Sequence, residues 1–200
     1  MAIDFGKRFG MGCLRLPLLN PQDQKSIDYD TLEKMIDIYL DRGFKYFDTS
    51  YIYHGELSEV ALGKALADRH PRDSFLLSTK MPIKFMNGKD DVEKVFQEQL
   101  DKCHVDYFDF YLIHAISEDA YKKCEEWDVF EFLKQKKAEG KFREFGASLH
   151  DTPEFLERLL TEHLKLIFSF FSSTISTGIT RQSAQRNCTI SQSNTISRLS

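Results

Sequence analysis

From residue 9 to about residue 171, short apolar runs alternate with stretches whose apolar positions recur every three or four residues. "FGMGCLRL" is the first run. In "DYDTLEKMIDIYLDRG", Leu32, Met35, Ile36, Tyr39 and Leu40 fall at i, i+3, i+4, i+7 and i+8, on one face of a helix. Asp30 is its expected N-cap, and Gly43 stands where a left-handed C-terminal residue belongs. "FKYFDTS" follows as a strand, then a helix within residues 57–68, the strand "FLLSTK", and a helix near 90–103. Next come the strand "YFDFYLIH", a helix near 126–138 stopped at Gly140, and the strand "FREFGAS". "HDTPEFLERLL" opens a helix, with Asp151 or Thr152 as cap, Pro153 in the first turn and Phe155, Leu156, Leu159 and Leu160 on the apolar face. "LKLIFSFF" is the last strand.

These runs make six strands and five helices in strict alternation, which implies parallel strands joined by right-handed crossovers. An open nucleotide-binding sheet would carry GxGxxG after its first strand, and none is present. The expected fold class is therefore α/β, an incomplete (β/α)8 TIM barrel two strands short of closure.

Charge and cysteine usage narrow the function classes. The net charge is −4, but no acid follows Glu162 while Lys165, Arg181, Arg186 and Arg198 do, leaving the preceding part at about −8. An acidic body without a basic stripe argues against a nucleic-acid partner. No stretch approaches the roughly 20 apolar residues of a membrane span, and "MAIDFGKRFG" has no signal-peptide core. Cys13, Cys103, Cys124 and Cys188 show no CxxC or Cys/His spacing, so free thiols in a cytoplasmic protein are expected and no metal site.

In a barrel, chemistry gathers where strands end. Here those positions hold Asp48, Lys80 and His114, with Tyr53 in the loop after Asp48. Singly, each has an ordinary structural explanation: a helix cap, a solvated amine, a core histidine, a packed phenol. Together on one rim they suit carbonyl reduction. Hydride delivery leaves an alkoxide that Tyr53 can protonate, with an ammonium such as that of Lys80 beside the phenol to stabilise phenolate. Asp48 would hold the Lys80 charge, and His114 would orient the carbonyl oxygen. The hydride must come from a nicotinamide cofactor, because no side chain supplies one.

"FDTSYIYHGELSEVALGKAL", "LSTKMP", "YFDFYLIH" and "GKFREFGASLHD" closely resemble the aldo-keto reductase family over roughly residues 7–165. The family's Asp, Tyr, Lys and His fall on Asp48, Tyr53, Lys80 and His114. The resemblance implies a (β/α)8 barrel that binds NADPH or NADH and reduces a small aldehyde or ketone. It also implies cofactor contacts at Gly12, Cys13, Leu14 and Arg15 and at Ser148, the serine of "GxS"; Leu149 stands where many relatives have Asn. The likeness is greatest to a bacterial branch whose full-length members often add an iron–sulfur segment, so a cluster is expected only in a longer version. A short-chain dehydrogenase is disfavoured, since neither its glycine-rich turn nor a Tyr-x-x-x-Lys pair occurs. The alternatives are a non-catalytic truncated fragment and a partner-binding or regulatory relative; oligomeric state is open.

Residues 172–200 break the pattern: Ser and Thr dominate "SSTISTGITRQSAQRNCTISQSNTISRLS", which holds no acid. With permitted codons, starting one base earlier from Ser172 turns it into QFNYLDWDNPxVSPTELYDIAIKYNKPVI, a strand end, loop, amphipathic helix and strand start such as relatives carry here. The expectation is a barrel portion at 1–171 and an out-of-frame, disordered tail at 172–200, the chain by itself being inactive.

Overall fold

The computed structural model describes residues 3–7, 9–149, 152–162 and 168–170. Asp151 and the segment 172–200, to which a cap and an out-of-frame tail were assigned above, lie outside the described residues.

Six parallel strands form one sheet in sequential order. They are β1 (Gly10–Gly12), β2 (Tyr46–Asp48), β3 (Leu76–Met81), β4 (Phe108–Ile116), β5 (Phe142–Leu149) and β6 (Phe168–Phe170). Five crossovers connect them, through α1 (Tyr29–Asp41), α2 (Ser58–Leu62, continued by a wider turn at Gly63–Ala67), α3 (Asp90–Cys103), the pair α4 (Glu118–Glu126) and α5 (Val129–Ala138), and α6 (Pro153–Glu162). The sheet does not close among the described residues, and β1 and β6 are its edges. This is the incomplete barrel that the alternation implies.

Three local expectations are corrected. The N-cap of α1 is Asp28, two residues before Asp30: its Oδ1 accepts from the Thr31 N–H at 3.1 Å and its Oδ2 from the Thr31 hydroxyl at 2.7 Å. Asp30 instead adds negative charge to the first turn. On that helix Leu32, Ile36 and Tyr39 are buried while Met35 is exposed, so the core stripe is narrower than its apolar spacing. The β4–β5 crossover holds two helices where one was expected. Asp128 at φ +54° breaks the path, and Ala120, Tyr121 and Cys124 bury the face of α4.

The main core lies between sheet and helices. Phe96 of α3 stands edge-on to Tyr111 of β4, ring centroids 5.0 Å apart, and Tyr111 stacks on Phe142 of β5 at 5.4 Å. Such pairs add to the area that aromatic rings bury. On the opposite face of the sheet, Tyr46, Leu76 and Phe110 form a second cluster, with Ile3 packed on it and Phe5 stacked on Phe110 at 5.5 Å. Side chains alternate across a strand, so Asp48, Lys80 and His114 share that second face, above the apolar floor.

Candidate active site

The strands bring the candidate residues together. β2 pairs with β3 at Asp48↔Ser78 and β3 with β4 at Lys80↔Leu112, which staggers Asp48, Lys80 and His114 along one rim. Both β3 and β4 run past these residues, to Met81 and Ile116.

Lys80 is 3% exposed. Its Nζ donates to Asp48 Oδ2 at 2.6 Å and to the Thr49 carbonyl at 2.6 Å. A buried ammonium is tolerated only when paired and hydrogen-bonded in this way. The same Nζ lies 5.1 Å from the Tyr53 ring centroid, within range of cation–π attraction. The Tyr53 ring in turn stands edge-on to the His114 imidazole, centroids 5.8 Å apart at 85°. Asp48, Tyr53, Lys80 and His114 are thus one continuous cluster.

Residues that the sequence reading passed over hold this cluster in place. Ser50 Oγ lies 2.8 Å from His114 Nδ1 and fixes the ring. Just past His114 the β4–β5 register shifts, and Ala115 takes φ +47°. Bulges of this kind re-aim side chains next to functional sites. The Ala115 N–H donates to Ser148 Oγ at 2.6 Å, so Ser148 supports the shape of the β4 end. Beyond the rim a groove is lined by Ile52, Pro82, Lys84, Phe85, His114 and Ala115. Ser50 could have been flagged as a polar side chain two residues past Asp48; its bond to His114, 64 positions away, could not.

The first-strand candidates divide. Gly12 pairs with Asp48, and no atom lies within 4 Å of where a β-carbon would stand, leaving open space at the strand end. Leu14 and Arg15 are exposed. Asp48 Oδ1 is buried without a hydrogen-bond partner, so a ligand donor beside Gly12 would satisfy it. Cys13 differs. It is fully buried, its thiol is directed at the Met11 carbonyl, and burial followed by the Asp48 charge pushes that thiol up to about 12. Its N–H donates to the Asp48 carbonyl at 2.8 Å and its carbonyl accepts from Ser58 Oγ at 3.0 Å, which locks β1 to β2 and to α2.

Among the described residues no group of three or more His, Cys, Asp or Glu side chains could hold a metal, and no helix is long and apolar enough to cross a membrane.

The chain is 29% identical over 131 residues to an aldo-keto reductase of Mycolicibacterium smegmatis, covering 65% of this chain and 45% of that protein. It is 34% identical over 109 residues to L-galactose dehydrogenase of Arabidopsis thaliana, covering 52% and 34%. The chain thus spans less than half the length of these curated relatives. The holo form of an aldo-keto reductase from Bacillus halodurans shares the fold at a TM-score of 0.62 and 25% identity, covering 78% of this chain and 50% of that one. One from Klebsiella pneumoniae in complex with NADPH does so at 0.61 and 24%, covering 76% and 48%. The sequence pattern of the Aldo/keto reductase family matches residues 10–189, most of the chain, and the chain belongs to that family.

Proposed function

We propose that the rim formed by Asp48, Tyr53, Lys80 and His114 serves NAD(P)H-dependent reduction of a small aldehyde or ketone to an alcohol. The observation that carries this reading is the buried Lys80 ammonium, held by Asp48 at 2.6 Å and lying 5.1 Å from the Tyr53 ring. Tyr53 donates the proton to the oxygen of the reduced carbonyl. The Lys80 ammonium stands beside the Tyr53 ring and offsets the negative charge left there, and Asp48 keeps that ammonium aimed. His114, fixed through Ser50, presents its ring to the carbonyl oxygen and stabilises the negative charge that grows there. A bound nicotinamide supplies the hydride. The open space over Gly12 and the unpartnered Asp48 Oδ1 fit such a polar ligand. Gly12, Leu14, Arg15 and Ser148 would hold it, with the backbone of Cys13 bracing the strand end. The Klebsiella pneumoniae relative bound to NADPH supports this choice of cofactor.

Turnover of a generic aldehyde with NADPH tests the reading. Tyr53→Phe should lower it by about 10²- to 10⁴-fold without a change in melting temperature. Equal measurable rates for the two proteins would sink it, and no turnover by the native chain would bear out the inactive chain expected from its sequence.

A second reading, a non-catalytic or partner-binding chain in the cytoplasm, takes its support from the open sheet. Cofactor binding without turnover, unchanged in Tyr53→Phe, would favour it. The out-of-frame origin of residues 172–200 is a separate proposal, tested by reading the gene from codon 160 onward. A second frame running uninterrupted through further strand–helix units would support it, and early closure of that frame would refute it. An iron–sulfur cluster in a longer form would need ligands outside the described residues.

A further inference from the structure

We infer that His54 is a positioning residue, a clasp that fastens the Tyr53 loop to the segment between β1 and α1. The ring is 6% exposed and binds backbone at both nitrogens. The Leu16 N–H donates to Nε2 at 2.9 Å, and Nδ1 lies 2.8 Å from the Gln24 carbonyl. A backbone N–H can only donate and a carbonyl can only accept. The partners therefore fix one neutral tautomer, bare at Nε2 and protonated at Nδ1. An imidazolium, with N–H at both positions, cannot accept from Leu16.

The loop needs such a clasp. His54, Gly55 and Glu56 run consecutively at φ +54°, +57° and +73°. Only glycine adopts this region freely, so the two flanking residues are strained, and strain of this kind persists only where surrounding contacts over-determine it. A β-carbon at Gly55 would stand 2.6 Å from Lys25 Cε, the movable end of a side chain, so it is the positive φ rather than crowding that calls for glycine there. The turn continues directly into Tyr53, whose N–H donates to the Ser50 carbonyl at 3.1 Å and whose carbonyl accepts from the Ser58 N–H at 3.2 Å. Loss of the Leu16 bond would free one strained end of the segment that aims the phenol.

The charged side chains on the segments that meet at His54 are Arg15, Asp23 and Lys25 on one side, and Glu56 on its own turn, 3.9 Å from Lys102. The Asp48–Lys80 pair lies beyond Tyr53.

The test is nitrogen-15 NMR of the whole chain at neutral pH, with His54→Gln and His54→Ala as comparisons. Gln keeps a side-chain acceptor for Leu16 and Ala removes it. In the native protein His54 should show the Nδ1–H tautomer and the Leu16 amide should be protected from exchange. His54→Ala should speed Leu16 exchange on the order of 10- to 100-fold, and His54→Gln should keep most of the protection. The opposite tautomer, a doubly protonated ring beside a protected Leu16 amide, or unchanged Leu16 exchange in His54→Ala would overturn the clasp. These readouts need no catalysis. That the clasp governs rate rests on Tyr53 being the proton donor, and predicts slower aldehyde turnover in His54→Ala than in His54→Gln. If Tyr53→Phe leaves turnover unchanged, that reading falls while the NMR result stands.

Discussion

The middle of the sheet and its first edge are built differently. Every residue of β3 is buried, from Leu76 to Met81, and Asp48 of β2 and Ser50 just past it supply the partners of Lys80 and of His114 on β4. β1 is three residues long, with Gly10 and Gly12 exposed, and Leu14 and Arg15 beyond it face solvent. Asp48, Lys80 and His114 sit on strands paired on both sides, with Tyr53 in the loop after β2, and the candidate cofactor contacts of the first strand sit at an edge. A charge network needs a rigid, dry setting to hold its geometry, whereas a surface that receives a large polar ligand must stay open until the ligand comes. Changes in the middle should therefore register as stability, and changes at the edge should not.

Asp48→Ala tests the largest part of this contrast. It strips Lys80 of the carboxylate it pairs with while the ammonium stays buried, and should destabilise the fold by about 3–5 kcal/mol in urea unfolding. A loss below about 1 kcal/mol would mean that the middle is as tolerant as the edge.

Glu59 gives the next effect. It is fully buried on α2 and accepts from Thr79 Oγ1 and from Gln99 Nε2 at 2.6 Å, while Gln99 Nε2 also reaches the Lys80 carbonyl at 3.1 Å. Burial lifts its carboxyl from 4.5 to about 7. The folded protein thus holds a proton that the unfolded chain releases. This contribution is fully present below about pH 4.5, falls as pH rises to about 7, and is level above, a difference of about 3 kcal/mol. Unfolding free energies across that range should show the slope, and Glu59→Gln should lack this component while keeping an acceptor for Thr79.

The smallest effect belongs to the edge. Leu14 is 55% exposed, and Leu14→Ser should change stability by less than about 0.5 kcal/mol. A loss of 2 kcal/mol or more in thermal unfolding would show that the edge is packed as the middle is, and would remove the contrast.

Much of this was legible before any coordinates. The period of the apolar positions separates helix from strand because it records which face meets the core, and strict alternation leaves parallel pairing as the economical topology. Asp48, Tyr53, Lys80 and His114 were readable for a similar reason: strand ends are where a barrel exposes polar groups, and those groups stood at three of them and in the loop after the first. The α4 helix was missed because its stretch, "EDAYKKCEE", is mostly charged and buries only a narrow face. Asp28 lost to Asp30 as the expected cap because both are acids beside the same turn, and only backbone geometry distinguishes them.

What the chain alone determined, then, is the alternation of elements, the parallel sheet and the identity of the rim residues, because each is written in local spacing. What only the tertiary structure decided is how those residues are held: Ser50 on His114, Ser148 on the Ala115 amide, His54 between Leu16 and Gln24, and Gln99 bridging Glu59 to the Lys80 backbone. Most of these bonds join residues more than 30 positions apart. Their energy comes from satisfying polar groups that folding removes from water, and which groups are removed is settled only when the strands pack.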